Sequence, residues 1–302
     1  MVNAPSSLTR SLGFLGVVLT VGCMYYSALD GISSQNFRGE IVGSAVFSPD
    51  GATLYGVGTR TTPKISENCL TAWDAQTGKR LWQHTPPDGL GKLSISHSGK
   101  LLLTTSGHHL SLYDTQTGRL VRKFAAPFLS YANSPAQFLP GDKQILAIGQ
   151  DAKLVVLDVT SGKQVRQLKH KPDDMAFALS PNGKFLALHQ NESLLLLDSQ
   201  TEKPLFTQGT AKYDGWPYSV TPVVFLPDGK RIRFADQLWN PSAHALRPLV
   251  AKDKEYETDA LSPDGKRSVS LEWNGGRHVQ LPLGTITGPG EKKIDLEGQT
   301  GW

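Results

Sequence analysis

This chain of 302 residues is short of several things, and each shortage closes off a class of protein. Cysteine is scarcest: Cys23 lies in an apolar run and Cys69 heads a predicted strand. They do not pair, so no disulfide framework holds the chain together, and Cys69 reads as a small buried hydrophobe. Charge is sparse too, at 19% of residues, with a net value of +4. The densest basic spot, Lys230-Arg231-Ile232-Arg233, alternates between two faces of a strand, which excludes a nucleic-acid surface. Catalytic signatures are missing. There is no G-x-S-x-G elbow, no phosphate-binding G-x-x-x-x-G-K-[ST] and no H-E-x-x-H. The eight histidines are dispersed. His108 and His109 adjoin in a predicted hairpin, where neighbouring side chains point to opposite faces, a poor geometry for one metal. The sequence predicts neither a metal nor a cofactor. Asn191-Glu192-Ser193 has the form of a glycosylation acceptor and is read as idle.

Long hydrophobic runs are also few, and the one present is N-terminal. Ser11 to Leu29 is uncharged, and as a helix it spans about 28 Å, close to a bilayer core. Arg10 precedes it and Asp30 is the first charge after it, which places the remainder outside the cytoplasm. Three readings compete: a cleaved secretory signal, an uncleaved single-span anchor, and a lipoprotein signal. Tyr26 sits badly before a cut after Ala28. Leu19-Thr20-Val21-Gly22-Cys23 resembles a bacterial lipobox, with Cys23 as the lipidated residue. Anchor and lipoprotein stand level, and either leaves the chain attached to a membrane. The expected organisation is an anchor or signal over residues 1–30, a polar linker over 31–40 and one domain over 41–302.

That domain is built from one sentence repeated. AVFSPDGATLYGVG, followed by LTAWDAQTGKRLW, reads as strand, Ser-Pro-Asp-Gly turn, strand, strand ending in Asp, Thr-Gly turn, strand. The first turn recurs at Gly51, Gly99, Asp142 (in a swapped LPGDK), Gly183, Gly229 and Gly265, in steps of 48, 43, 41, 46 and 36. Periods of this size mark propeller blades of four strands each. Phe47, Ile95, Phe138, Leu179, Phe225 and Leu261 stand at one equivalent position, predicting an innermost strand that faces the core. Leu54, Leu102, Ile145, Leu186 and Ile232 do the same for the second strand. Asp74, Asp114, Asp158 and Asp198 end third strands, each four residues after a leucine. Gly78, Gly118 and Gly162 follow in the next turn, but the fourth repeat has Glu202 there, which predicts a different turn. Repeats five and six keep the first turn and lose much of the second. The prediction is an all-β propeller of six four-stranded blades, with seven as the alternative, following an N-terminal hydrophobic signal or anchor helix. The last repeat is where its seam belongs. Lys293 to Leu296 forms either the outer strand of that blade or a clasp pairing with Gln35 to Glu40.

These residues resemble WD40 and related bacterial β-propeller repeats, over roughly Ile41 to Thr287. The Gly-His dipeptide of eukaryotic WD40 blades is missing, and LSPDGKRSVSL and FLPDGKRIRF are closer to TolB-like propellers. Ala72-x-Asp74-x-x-Thr77-Gly78-x-x-x-Trp82 matches the tryptophan-docking motif of pyrroloquinoline-quinone propellers in full. In that family the tryptophan packs between blades and the motif recurs. Here it occurs once, with Arg122, Arg166 and Phe206 at the later positions, and non-enzymatic rings carry it too, among them an outer-membrane assembly lipoprotein. The resemblance therefore implies that Trp82 staples blade one to blade two. The turn aspartates are read as structural.

The candidate binding surface is the face of the ring that carries the loops between blades. An insert at Gly58 to Asn68 is expected there, with Phe128 and Tyr131 in one loop and Tyr213, Trp216 and Tyr218 in another. Loop aromatics bury large area with few rotors, which suits binding anchors; the alternative is that they fill gaps between blades. The function that follows is a membrane-attached, extracytoplasmic scaffold or ligand-binding module whose partner is a protein or an envelope polymer. The alternative from another class is a quinoprotein- or lactonase-like enzyme at the central channel. It needs convergent carboxylates, for which the sequence offers only Asp259, Asp173 and Asp174.

Overall fold

A computed structural model describes residues 39–61, 66–86, 91–106, 109–124, 135–149, 151–173, 177–209, 223–226, 228–234, 237–243, 245–248, 260–264, 267–270, 285–287 and 293–295. The segment predicted as signal or anchor, with Cys23, lies outside them. Among the described residues no helix is long and apolar enough to cross a membrane.

The described strands form a β-propeller of four-stranded antiparallel sheets, six of them, each built from consecutive strands. Blade one is β1 (Gly39–Phe47), β2 (Thr53–Thr61), β3 (Ser66–Asp74) and β4 (Arg80–His84). Blade two is β5 (Leu93–Ile95), β6 (Leu101–Ser106), β7 (His109–Asp114) and β8 (Leu120–Phe124). Blade three is β9 (Gln137–Phe138), β10 (Gln144–Ile148), β11 (Leu154–Asp158) and β12 (Gln164–Gln167). Blade four is β13 (Phe177–Leu179), β14 (Phe185–Gln190), β15 (Ser193–Asp198) and β16 (Pro204–Gly209). Blade five is β17 (Val223–Phe225), β18 (Ile232–Phe234), β19 (Gln237–Asn240) and β20 (Ala245–Pro248). The last sheet has strands of only two or three residues: β21 (Ala260–Leu261), β22 (Ser268–Ser270), β23 (Thr285–Thr287) and β24 (Lys293–Asp295).

The repeated apolar positions are the core. Leu54, Leu102, Ile145, Leu186 and Ile232 are wholly buried, and so are Leu70, Leu154 and Leu194 of the third strands. Each such side chain contributes about 2 kcal/mol by transfer out of water. The clusters lie between sheets. Phe124 of blade two packs with Phe138 and Ile145 of blade three, and Leu146 and Ile148 of blade three pack with Phe177 and Leu188 of blade four. A blade alone exposes both of its faces, so the stack of neighbours is what makes a core. Cys69 is buried at 2% exposure.

Two expectations are corrected, and one left open between two readings is decided. The Gly58–Asn68 insert is strand over most of its length. Gly58, Thr59, Arg60 and Thr61 pair with Cys69, Asn68, Glu67 and Ser66, while β1 extends alongside as far as Gly39. The extended ladder satisfies the backbone groups of this segment within blade one. The Glu202 turn is also not of another type. Glu202 adopts φ +59° and its amide donates to the Asp198 carbonyl at 2.9 Å, as the Gly78 amide does to Asp74 at 2.8 Å. A left-handed non-glycine residue costs about 1 kcal/mol. Here the Glu202 carboxylate accepts a 2.8 Å bond from the Lys169 amide of blade three, which offsets that cost. At the seam, β24 pairs with β23 as the outer strand of the last blade, so the clasp with residues 35–40 is not the use made of it.

Candidate functional site: the blade junctions and the turn face

The turns that close the second hairpin of each blade use one device. Asp74 accepts the amides of Gln76 and Thr77 and the Thr77 hydroxyl, at 3.0, 2.7 and 2.7 Å. Asp114, Asp158 and Asp198 repeat it with Thr117, Ser161 and Thr201. The hydroxyl and amide bonds from Thr77 hold the Asp74 carboxyl below its usual range, and the corresponding bonds do so for the other three. The first hairpin turn uses a buried serine that the sequence reading missed. Ser48 donates to Asp50 at 2.5 Å and accepts the Thr53 amide at 2.9 Å, and Ser180 and Ser262 repeat the arrangement.

The same turns lock blades together. Pro49 of blade one lies against Gly99 of blade two, Pro140 against Gly183, Pro181 against Gly229 and Pro263 against Gly51. The last contact runs from the final blade back to the first. Between blades two and three both partners are exchanged: His97 stands for the proline and Asp142 for the glycine. Asp142, at φ +57°, accepts the amides of His97 and Ser98, each at 2.8 Å, and lies 3.1 Å from His97 Nδ1. Burial works against its charge, yet these bonds from Ser98 and His97 outweigh it and hold the carboxyl below its usual range. The swapped LPGDK and the odd SHSG are therefore one feature, a polar clamp in place of a proline–glycine contact. Both irregularities stand in the sequence, but only the fold sets them face to face.

The outermost strands supply a second tie. The Trp82 indole donates to the Thr115 carbonyl of blade two at 3.1 Å, and His84 Nε2 lies 2.6 Å from the Thr117 carbonyl. Both rings cover Gly118, where a Cβ would meet them at 2.7 and 2.4 Å, so no side chain fits. Trp82 thus staples blade one to blade two. One junction further, Arg122 lies beside Gly162, and at the next Arg166 donates to the carbonyls of Gln200 and Ser199 at 2.6 and 3.2 Å. At the seam, Arg267 bonds the carbonyls of Gly51 and Ala75 at 2.6 and 3.3 Å and lies over the Phe47 ring. Innermost strands are joined by Ser44 to the Leu93 amide, Ser94 to the Ala136 carbonyl and Gln137 to the Leu179 amide.

The aromatic anchors Phe128, Tyr131, Tyr213, Trp216 and Tyr218 lie outside the described residues, as do Asp174, Asp259 and His108. Asp173 caps a hairpin, accepting the Asn191 amide at 2.6 Å. Among the described residues no three His, Cys, Asp or Glu side chains gather as metal ligands. Asp50, Asp74, Asp114, Asp158 and Asp198 bond the hairpin turns, and Asp142 bonds a junction between blades.

No curated protein matches the chain significantly. The profile described as outer membrane protein assembly factor BamB matches residues 32–239, which run from before β1 to within blade five. With well over half of its length matched, this propeller of repeated four-stranded blades belongs to that family, described as outer membrane protein assembly factor BamB.

Proposed function

We propose that the chain is a membrane-attached, extracytoplasmic scaffold that works by binding rather than by catalysis. Its N-terminal segment holds it to the membrane, through a lipid on Cys23 or as a single span. Its loop face, with Trp216, Tyr218, Tyr213, Phe128 and Tyr131, takes a protein partner of envelope assembly. Family membership over residues 32–239 carries this reading, since the family's description is of an assembly factor. The Trp82 junction supports it: the one complete docking motif is engaged in holding two blades together.

The test is co-purification of the full chain from detergent-solubilised membranes beside the Trp216→Ala, Tyr218→Ala double variant, read by mass spectrometry. A stoichiometric protein companion that disappears in the variant is the expected result. A companion held equally by both moves the interface off the loop face. The absence of any companion overturns the scaffold reading.

A further inference from the structure

The outermost strands of four consecutive blades carry the same irregularity. Trp73 pairs with Arg80 and Ala72 with Trp82, so Leu81 is an extra, bulged residue. Val121, Val165 and Leu205 are bulged in the same way in blades two, three and four. A bulge re-aims the residue that follows it, and here that is Trp82, Arg122, Arg166 or Phe206, the position that serves the junction. The bulged residue itself turns outward. It is aliphatic every time, and 53%, 57%, 53% and 39% exposed. Junction geometry accounts for the bulge but not for the aliphatic side chain, since a polar residue there is the usual protection of a sheet edge. Single exposed hydrophobes are ordinary; four at one repeat position are a pattern.

Along the outer strands themselves the charge is of one sign, although Asp151 bonds Gln167 of β12 and Asp158 lies near Arg122 of β8. Residues 79–84, 119–124, 163–167 and 203–209 contain no aspartate or glutamate and eight lysines or arginines. Blade four begins its outer strand with Pro204, which donates no hydrogen bond at an edge. Blade two lacks such protection. Leu120 is 49% exposed beside Val121, Arg119 and Lys123 are exposed, and β8 is the edge of its sheet. Val165 and Lys163 continue this surface on blade three.

We propose that the outer strands of blades two and three, β8 and β12, dock an extended acidic polypeptide segment bearing aliphatic side chains. Carboxylates meet the cations, aliphatic groups cover Leu120, Val121 and Val165, and the backbone adds to the edge of β8. Adjacent blades of a ring are rotated about its axis, so a chain that can bend follows both, whereas a flat bilayer meets them tangentially. The test of this surface leaves Trp216 and Tyr218 intact.

The probe is a fluorescein-labelled peptide of alternating glutamate and valine, titrated into the full chain and read by anisotropy. Saturable binding is expected, weakened at least about tenfold, a hot-spot effect, by Leu120→Thr with Val121→Thr. Binding remains within about twofold of native in Leu205→Thr, whose blade is closed by proline. A peptide with lysine for glutamate does not bind. Equal binding by native chain and double variant overturns the proposal, as does no binding at all. Capture of phosphatidylglycerol vesicles through Leu120 and Val121, without peptide binding, replaces it with a membrane contact. Unchanged thermal midpoints establish that the variants fold.

Discussion

The junction between blades two and three differs from that between three and four in a way that shows what the turn motif is for. At the second, Pro140 rests on Gly183, an apolar ring against a backbone with no side chain in the way. At the first, His97 and Asp142 have replaced that pair, and hydrogen bonds do the work of contact. The turn sequence is thus selected as half of a contact with the neighbouring blade. A departure in one blade is answered in the next, and the ring is held by pairs of turns.

The comparison sharpens first at the glycines. Gly183→Ala places a Cβ 2.1 Å from the Pro140 ring at φ +65°, whereas Gly141, at φ +84°, has nothing within 4 Å of that position. Urea unfolding should show Gly183→Ala costing about 3 kcal/mol, as overpacking plus left-handed strain, and Gly141→Ala only about 1. Equal costs would mean that the proline contact is incidental.

The seam comes next. Arg267→Ala removes two bonds to carbonyls of blade one and should cost about 2 kcal/mol. Hydrogen exchange should rise first in β22 to β24, each only three residues long and in the blade that Arg267 ties to blade one. Exchange rising uniformly around the ring would argue against a local seam.

The smallest effect is the most specific. Asp142→Gly and His97→Pro should each cost about 1 kcal/mol, while the double variant restores the proline–glycine contact and recovers most of that loss. Additive costs would separate the two substitutions and break the pairing. The clamp also has a pH signature. Burial raises the Asp142 carboxyl, the bonds from Ser98 and His97 lower it further, and the folded value lies below the unfolded one. Its stabilisation is therefore full above the unfolded value, about 3.9, and is lost as pH falls through the folded value. Asp142→Asn should flatten that acid limb in thermal melts.

Much of this was legible in the chain. Apolar residues at matched positions of successive repeats announced strands, phase and core, because a buried position admits few residue types. The role of Trp82 was legible from its motif. Glu202 departs from the expectation because a glycine position in a turn is not always a conformational requirement: a hydrogen bond from Lys169 sustains a left-handed glutamate there. The insert misled because TRTTPKISEN carries loop composition while its ladder is set by what lies opposite, namely β1. The Asp142 clamp and the bulged aliphatics were invisible for another reason. Each depends on which residues of different blades or strands meet, and a single repeat read alone does not contain that information. The candidate loop aromatics, from Phe128 to Tyr218, lie outside the described residues and rest on sequence.

The docking motif holds blade one to blade two through Trp82, and the proposed binding function lies on other residues. The most direct test is Trp82→Ala, with unfolding free energy and companion retention measured on the same preparation. Loss of a half-buried indole and its bond to Thr115 should lower stability by about 3 kcal/mol, with the companion of the loop face still bound. Unchanged stability, with the companion or a bound small molecule lost, would make Trp82 part of a ligand site and contradict the account.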